Sequence, residues 1–308
     1  MYSSALVILV LMLLSVPQTT LRPDPDNTCD SCEEWNRPLE PFRLFGNTYY
    51  VGTAGLSALL VTSDAGHILL DGGLTQSAAV IDRNIRTLGF RTEDVRLILA
   101  SHEHYDHVGG IAALQRVSGA TVLMSAPGVR ALNGGGPLPE DPQFGFGVKV
   151  NAFPPVMRTR AVADREFVTL GSLAITAHLT PGHTPGGTSW SWRSCEGERC
   201  LAIVYADSLT AIAADGFRFT GGAGRPDITP IVRATIARIE GLPCDIIVST
   251  HPGATSLSQR LRHRESGGAD AFVNPDGCRT YAATARLNLE RRIAQERQAN
   301  KAVGAAFK

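Results

Sequence analysis

The segment His102-Glu103-His104-Tyr105-Asp106-His107 puts three imidazoles and a carboxylate within six residues. Imidazole nitrogen and carboxylate oxygen are donors that suit zinc. Four such groups leaving one loop need a cation between them, yet they are too crowded for a single ion. Two neighbouring ions fit better, with His102 and His104 facing one and Asp106 and His107 the other. Each ion then lacks one protein ligand. His183 in TPGHTPGG and His251 in STHPGA lie in Gly/Pro-flanked segments directly after apolar runs, and they offer those two places. Zinc lowers the pKa of bound water to near neutrality. The expected chemistry is therefore hydrolysis, with Asp106 also orienting the attacking hydroxide. His67, His178 and His263 lack such a setting and are expected to be structural or superficial.

These groups need rigid elements behind them. VRLILAS (95–101) reads as a buried strand that delivers the His-rich loop, and 111–117 resumes with helical spacing. SALLVTS and HILLDGG (57–63 and 67–73) read as a hairpin around Asp64-Ala65-Gly66. A helix is expected over 75–88, strands at 121–125, 174–180, 201–206 and 244–250, and another helix over 229–240. Strand–loop–helix alternation describes an α/β layered protein, here one domain of two halves that alternate in the same way. Residues 134–156 are turn-rich with Phe144, Phe146 and Phe153 interleaved, and are expected to line a substrate site.

Composition bounds the rest. The 308 residues are 44% hydrophobic, with Lys+Arg 29 matching Asp+Glu 29. Nothing in that balance suggests nucleic acid or an anionic membrane as partner. Ala5–Val16 is an apolar run too short for a comfortable span, so 1–21 reads as a secretory signal and 22–308 as a single domain with an N-terminal arm. No stable membrane association is expected after cleavage. Six cysteines are consistent with export. Separation favours Cys195–Cys200. Cys244–Cys278 would tie a late strand to the C-terminal region, leaving Cys29–Cys32, whose spacing also suits a redox dithiol or half a zinc knuckle. SxxK, GxSxG and a dinucleotide-binding GxGxxG are all missing from the chain.

SHEHYDHVGG, with LLDGG before it and TPGHTPGG, ADSLT and STHPGA after it, resembles the metallo-β-lactamase superfamily. WNRPLEPFRLFGNTYYVG and FPP at 153–155 bring the likeness closest to subclass B3. The resemblance implies a four-layer αββα sandwich and two Zn2+ ions. His102, His104 and His183 match the first zinc's ligands, and Asp106, His107 and His251 the second's. Ser208 matches a serine that helps bind the substrate carboxylate, where B1 lactamases carry a zinc-binding cysteine; no cysteine is near. Thr210 would assist it, and Phe153 would wall the substituents. Asp207 matches an aspartate that glyoxalase-like relatives use to bridge the metals and B3 enzymes do not. Asp71 and Asp207 are expected behind the ligands, Asp71 by accepting an N–H from a ligand histidine. Glu103 departs from the small residue expected there; its side chain should point away from the metals, altering substrate preference or a neighbouring histidine. The implied activity is hydrolysis of penicillins, cephalosporins and carbapenems by a monomeric periplasmic enzyme. The alternative is a hydrolase of the same fold acting on a lactone, thioester or phosphodiester.

Overall fold

The structure is a computed structural model that describes residues 20–306 apart from 223 and 269. Its first sheet has seven strands in sequential order: β1 (Phe42–Phe45), β2 (Thr48–Tyr50), β3 (Leu59–Ser63), β4 (Gly66–Leu70), β5 (Val95–Leu99), β6 (Thr121–Ser125) and β7 (Thr159–Val162). Pairing is antiparallel through β4 and parallel from there to β7. The second sheet runs β12-β11-β10-β9-β8, with β8 (Phe167–Leu170), β9 (Leu173–Leu179), β10 (Thr188–Glu196), β11 (Arg199–Ala206) and β12 (Ile246–Ser249). The helices are α1 (Cys32–Trp35), α2 (Ser77–Thr87), α3 (Tyr105–Val108), α4 (Ile111–Ser118), α5 (Ala126–Gly134), α6 (Val148–Asn151), α7 (Thr229–Glu240), α8 (Leu257–Glu265) and α9 (Gly277–Ala306).

Strand side chains alternate between faces, and here both faces are dry. Leu59, Val61, Ile68 and Leu70 turn inward to meet Trp190, Trp192, Ile203 and Tyr205 between the sheets. Leu60, Leu69, Ile98 and Val122 turn outward under Ile81 and Ile85 of α2, Leu114 of α4 and Leu132 of α5. Val204, Ala206 and Ile247 pack under α7 and α9 through Ile236, Ile239, Ala282 and Leu289. Double coverage is why these strands are near-continuous apolar runs. The result is the expected four-layer αββα sandwich. Removing a fully buried side chain such as Leu69 would cost about 2–5 kcal/mol.

The second half does not alternate as the first does. β8 to β11 form an antiparallel meander, and only β11–β12 is a parallel pair. β7, β8, β10 and the long α9 go beyond the elements expected. β10 (TSWSWRSCE) looks polar because serines separate Trp190 and Trp192, which point into the core. α9 buries Ala282, Ala285, Leu289 and Ile293 along one face only, leaving an Arg-, Gln- and Glu-rich exterior.

Cys29–Cys32, Cys195–Cys200 and Cys244–Cys278 are all disulfide-bonded. The expected signal segment lies outside the described residues up to 19. Leu21 packs against the helix-side core beneath α2, α4 and α5. Among the described residues no helix is long and apolar enough to cross a membrane.

Candidate metal centre

Three loops reach one place because the two sheets are tied together directly beneath it. The indole of Trp190 on β10 donates to Ala100 O (3.1 Å), and Thr188 N–H donates to Ser101 O (2.7 Å), pinning the chain just before His102. Ser57 N–H donates to Thr250 O (2.8 Å), holding the residue before His251. Asp71 joins these ties: its carboxylate accepts from Ser101 N–H, Ser101 O–H and Tyr205 O–H, each at 2.7 Å. Asp71 has φ 59°, in the left-handed region that Asp tolerates better than most residues. Gly72 follows because a Cβ there would lie 2.8 Å from Ile111 N. Its N–H donates to His107 O (2.8 Å), setting the far end of the His-rich loop.

On this platform the side chains converge. His102, His104 and His183 bring ligand atoms within 4.8 Å of one another, and so do His102, Asp106 and His107. His251 completes the second group: its Nε2 lies 3.3 Å from Asp106 Oδ2 and 3.2 Å from His107 Nε2. All six are buried except the partly exposed His251. Trp35, delivered by the Cys29–Cys32 turn and α1, packs on the His251 ring with centroids 5.3 Å apart.

The opposite nitrogens of three rings are already engaged. His102 Nδ1 faces Asp207 Oδ1 at 2.8 Å, His104 Nε2 faces Asp141 Oδ2 at 3.1 Å, and His183 Nδ1 faces Thr210 O at 3.0 Å. Each of those acceptors fixes a proton on the nitrogen it meets, so the other ring nitrogen keeps its lone pair. Burial, reinforced by the neighbouring imidazoles, holds His102 well below its ordinary range and takes His183 down to about 3. Burial opposes charge on His104 too, but the Asp141 carboxylate raises it. Burial would also keep Asp106 protonated; His107 and His251 overcome that and hold it well below the usual carboxylate range. Neutral imidazoles and an ionised carboxylate are what a metal takes as ligands. The donor set fits zinc.

The remaining candidates are placed less simply. Asp207 stands behind His102. Asp71 does not accept a histidine N–H: His107 Nδ1 is 3.9 Å away and has no hydrogen-bond partner, because closer donors fill the carboxylate. Ser208 is buried beside the site with its hydroxyl 2.8 Å from that of Thr250. Thr210 turns its hydroxyl to His183 Nδ1 (3.0 Å). Phe153 is not at the surface of the 134–156 loop; it packs in the core with Leu132 and Val156, leaving Phe146 exposed instead. His67 meets Phe90 edge to face, and His178 Nε2 meets Ser191 Oγ, both away from the site. Sequence reasoning missed Asp141 and Trp35. An acid in a Pro/Gly-rich loop and an aromatic beside a CxxC carry no spacing signal that points to a histidine far along the chain.

A family model for the metallo-beta-lactamase superfamily matches residues 51–197. The solved structure of the Rm3 metallo-beta-lactamase is 49% identical, with TM-score 0.84, covering 88% of this chain and 99% of that one. MEM-A1, a subclass B3 metallo-beta-lactamase isolated from a soil metagenome library, is 50% identical, with TM-score 0.83, covering 86% and 99%. A hydroxyacylglutathione hydrolase of Anaeromyxobacter dehalogenans (strain 2CP-C) is 30% identical over 192 residues, 62% of this chain. The chain spans between 57% and 62% of the length of the first hydroxyacylglutathione hydrolases it matches. With its fold, its histidine-rich centre and near-complete overlap with Rm3 and MEM-A1, the chain belongs to the metallo-beta-lactamase superfamily, alongside the subclass B3 enzymes.

Proposed function

We propose that the protein is a zinc β-lactamase of the B3 type, opening the lactam amide of penicillins, cephalosporins and carbapenems. His102, His104 and His183 would hold one zinc ion, and Asp106, His107 and His251 the other. When bound, zinc supplies a nucleophile from water near neutral pH and a Lewis acid for the carbonyl oxygen and the departing nitrogen. The chain's own contribution is orientation. Ionised Asp106 would accept a hydrogen bond from the attacking water and aim it. Asp207, Asp141 and Thr210 keep three imidazoles in the tautomer that faces inward. Ser208, backed by Thr250, donates to the substrate carboxylate, and exposed Phe146 and Ile212 offer apolar surface to substituents.

The observation that carries this reading is the convergence of six side chains from three loops with Asp207 spent on His102 Nδ1. The hydroxyacylglutathione hydrolase relatives favour a thioesterase as the second reading. In that case the carboxylate at position 207 should bridge the metals. Here Oδ1 faces the outer nitrogen of His102 and also accepts Ser208 N–H (2.7 Å), while Oδ2 accepts from Thr180. Export to the periplasm through the 1–21 segment is part of the proposal and is supported by the three disulfides. A monomeric state is also part of the proposal.

The test is hydrolysis of nitrocefin, a carbapenem and a glutathione thioester by the purified protein, with and without a chelator. Lactam turnover that a chelator stops and zinc restores is expected. Turnover of the thioester alone would overturn the lactamase reading.

A further inference from the structure

Glu103 sits between two of the converging histidines, yet its side chain is fully buried on the opposite side of the loop. A buried carboxylate is costly unless it is hydrogen-bonded. Both oxygens are used, and both on one other loop: Oε2 accepts from Thr184 O–H (2.7 Å) and Oε1 from Gly186 N–H (2.8 Å). That loop carries His183, one residue before Thr184. Gly186 leaves the carboxylate its room, since a Cβ there would lie 2.4 Å from Glu103 Oε2. The far side of the loop is anchored separately, with Ser125 O–H donating to Gly186 O (2.6 Å).

Resting on the two-metal reading above, we infer that Glu103 is a positioning residue for the first metal. Its carboxylate brackets the loop of His183 to the segment His102–His104, so the three imidazoles of that group are registered before any ion arrives. The second group, Asp106, His107 and His251, is not spanned by this bracket. The proposal therefore separates the two metals: loss of the bracket weakens the first and spares the second.

The experiment compares wild type, E103A and E103Q, with metal-free protein titrated with Co(II) against a competing chelator and the two binding steps followed by absorption. Gln can accept from Gly186 N–H through its oxygen and donate to the Thr184 hydroxyl through its amide. E103A is expected to lose about 10-fold or more in first-site affinity, the usual cost of removing a group that supports a ligand, with the second step unchanged. E103Q should stay within about threefold of wild type, because it preserves both links. Should E103A fail to fold, T184V, which removes one of the two links, should show the same first-site loss to a smaller degree. Equal weakening of both steps in the folded variant that is titrated would show general destabilisation and overturn the bracket. E103Q falling as far as E103A would overturn it in favour of the negative charge alone. Wild-type protein that binds both metals but hydrolyses no lactam would defeat the functional reading and leave this inference standing; unchanged first-site affinity in E103A would do the reverse.

Discussion

Asp207 shows how much one carboxylate decides. It fixes the proton of His102 on Nδ1 through a 2.8 Å contact, from a position without solvent access. D207A leaves that nitrogen only the Ser101 hydroxyl at 3.4 Å, and metal affinity is expected to fall about 10–100-fold in a chelator competition. Secondary structure measured by circular dichroism should be retained. Replacing His104 with Ala removes a donor outright: metal analysis should show at most one ion per chain and lactam turnover should vanish. Two ions and unchanged turnover would remove His104 from the site. S208A should raise KM for carboxylate-bearing lactams with a smaller effect on kcat, read from initial rates. The six converging side chains were legible in the sequence because four lie within six residues and the other two follow apolar strands. Their supporting acids were legible only as a pair of strand-end aspartates. Which of Asp71 and Asp207 meets a histidine depends on donors from Ser101 and Tyr205, far apart in sequence, and the structure gives that role to Asp207.

At the scale of elements, periodicity was a good guide where the apolar positions are uninterrupted or evenly spaced. α7 spans the expected 229–240, and β3–β4 form the expected hairpin. It failed at β10, whose serines mask an inward row of tryptophans, and at α9, whose buried stripe is narrow. α9 also carries a measurable electrostatic contact. Glu296 accepts from Phe219 N–H (3.0 Å), Thr220 N–H (2.9 Å) and Thr220 O–H (2.8 Å), and it pairs with Arg292. Burial would raise its pKa, but Arg292 and these donors lower it below the ordinary 4.5. A carboxyl depressed in the folded state adds stability above its unfolded value, and that stability is lost as pH falls through the folded value. E296Q is therefore expected to lower stability by about 1–3 kcal/mol at pH 7. The gap from wild type should close in acid below the ordinary 4.5, followed by urea denaturation at several pH values. A gap independent of pH would refute the ionised contact.

The molecule as a whole is held by its between-sheet core, by disulfides and, on the proposed reading, by metal. Cys244–Cys278 joins the entrance of β12 to the first turn of α9 across 34 residues of sequence. The double alanine variant is expected to lose about 4 kcal/mol of stability by the chain-entropy estimate, with kcat unchanged. Thermal melts and turnover measured on the same samples check both halves of that statement. Chelation should lower the melting temperature and added zinc should restore it, because an ion bound only by the folded chain stabilises it.

Only one short connection, Ala163–Glu166, leads from the last strand of the first sheet to the first strand of the second, and it is largely exposed. Residues 102–107 lie on one side of it, His183 and His251 on the other. On the proposed reading, neither portion alone owns a full set of donors for either metal. On that reading, two fragments produced by a single proteolytic cut there could rebuild the metal sites only by docking together. Zinc capture would then serve as the reporter of their complementation.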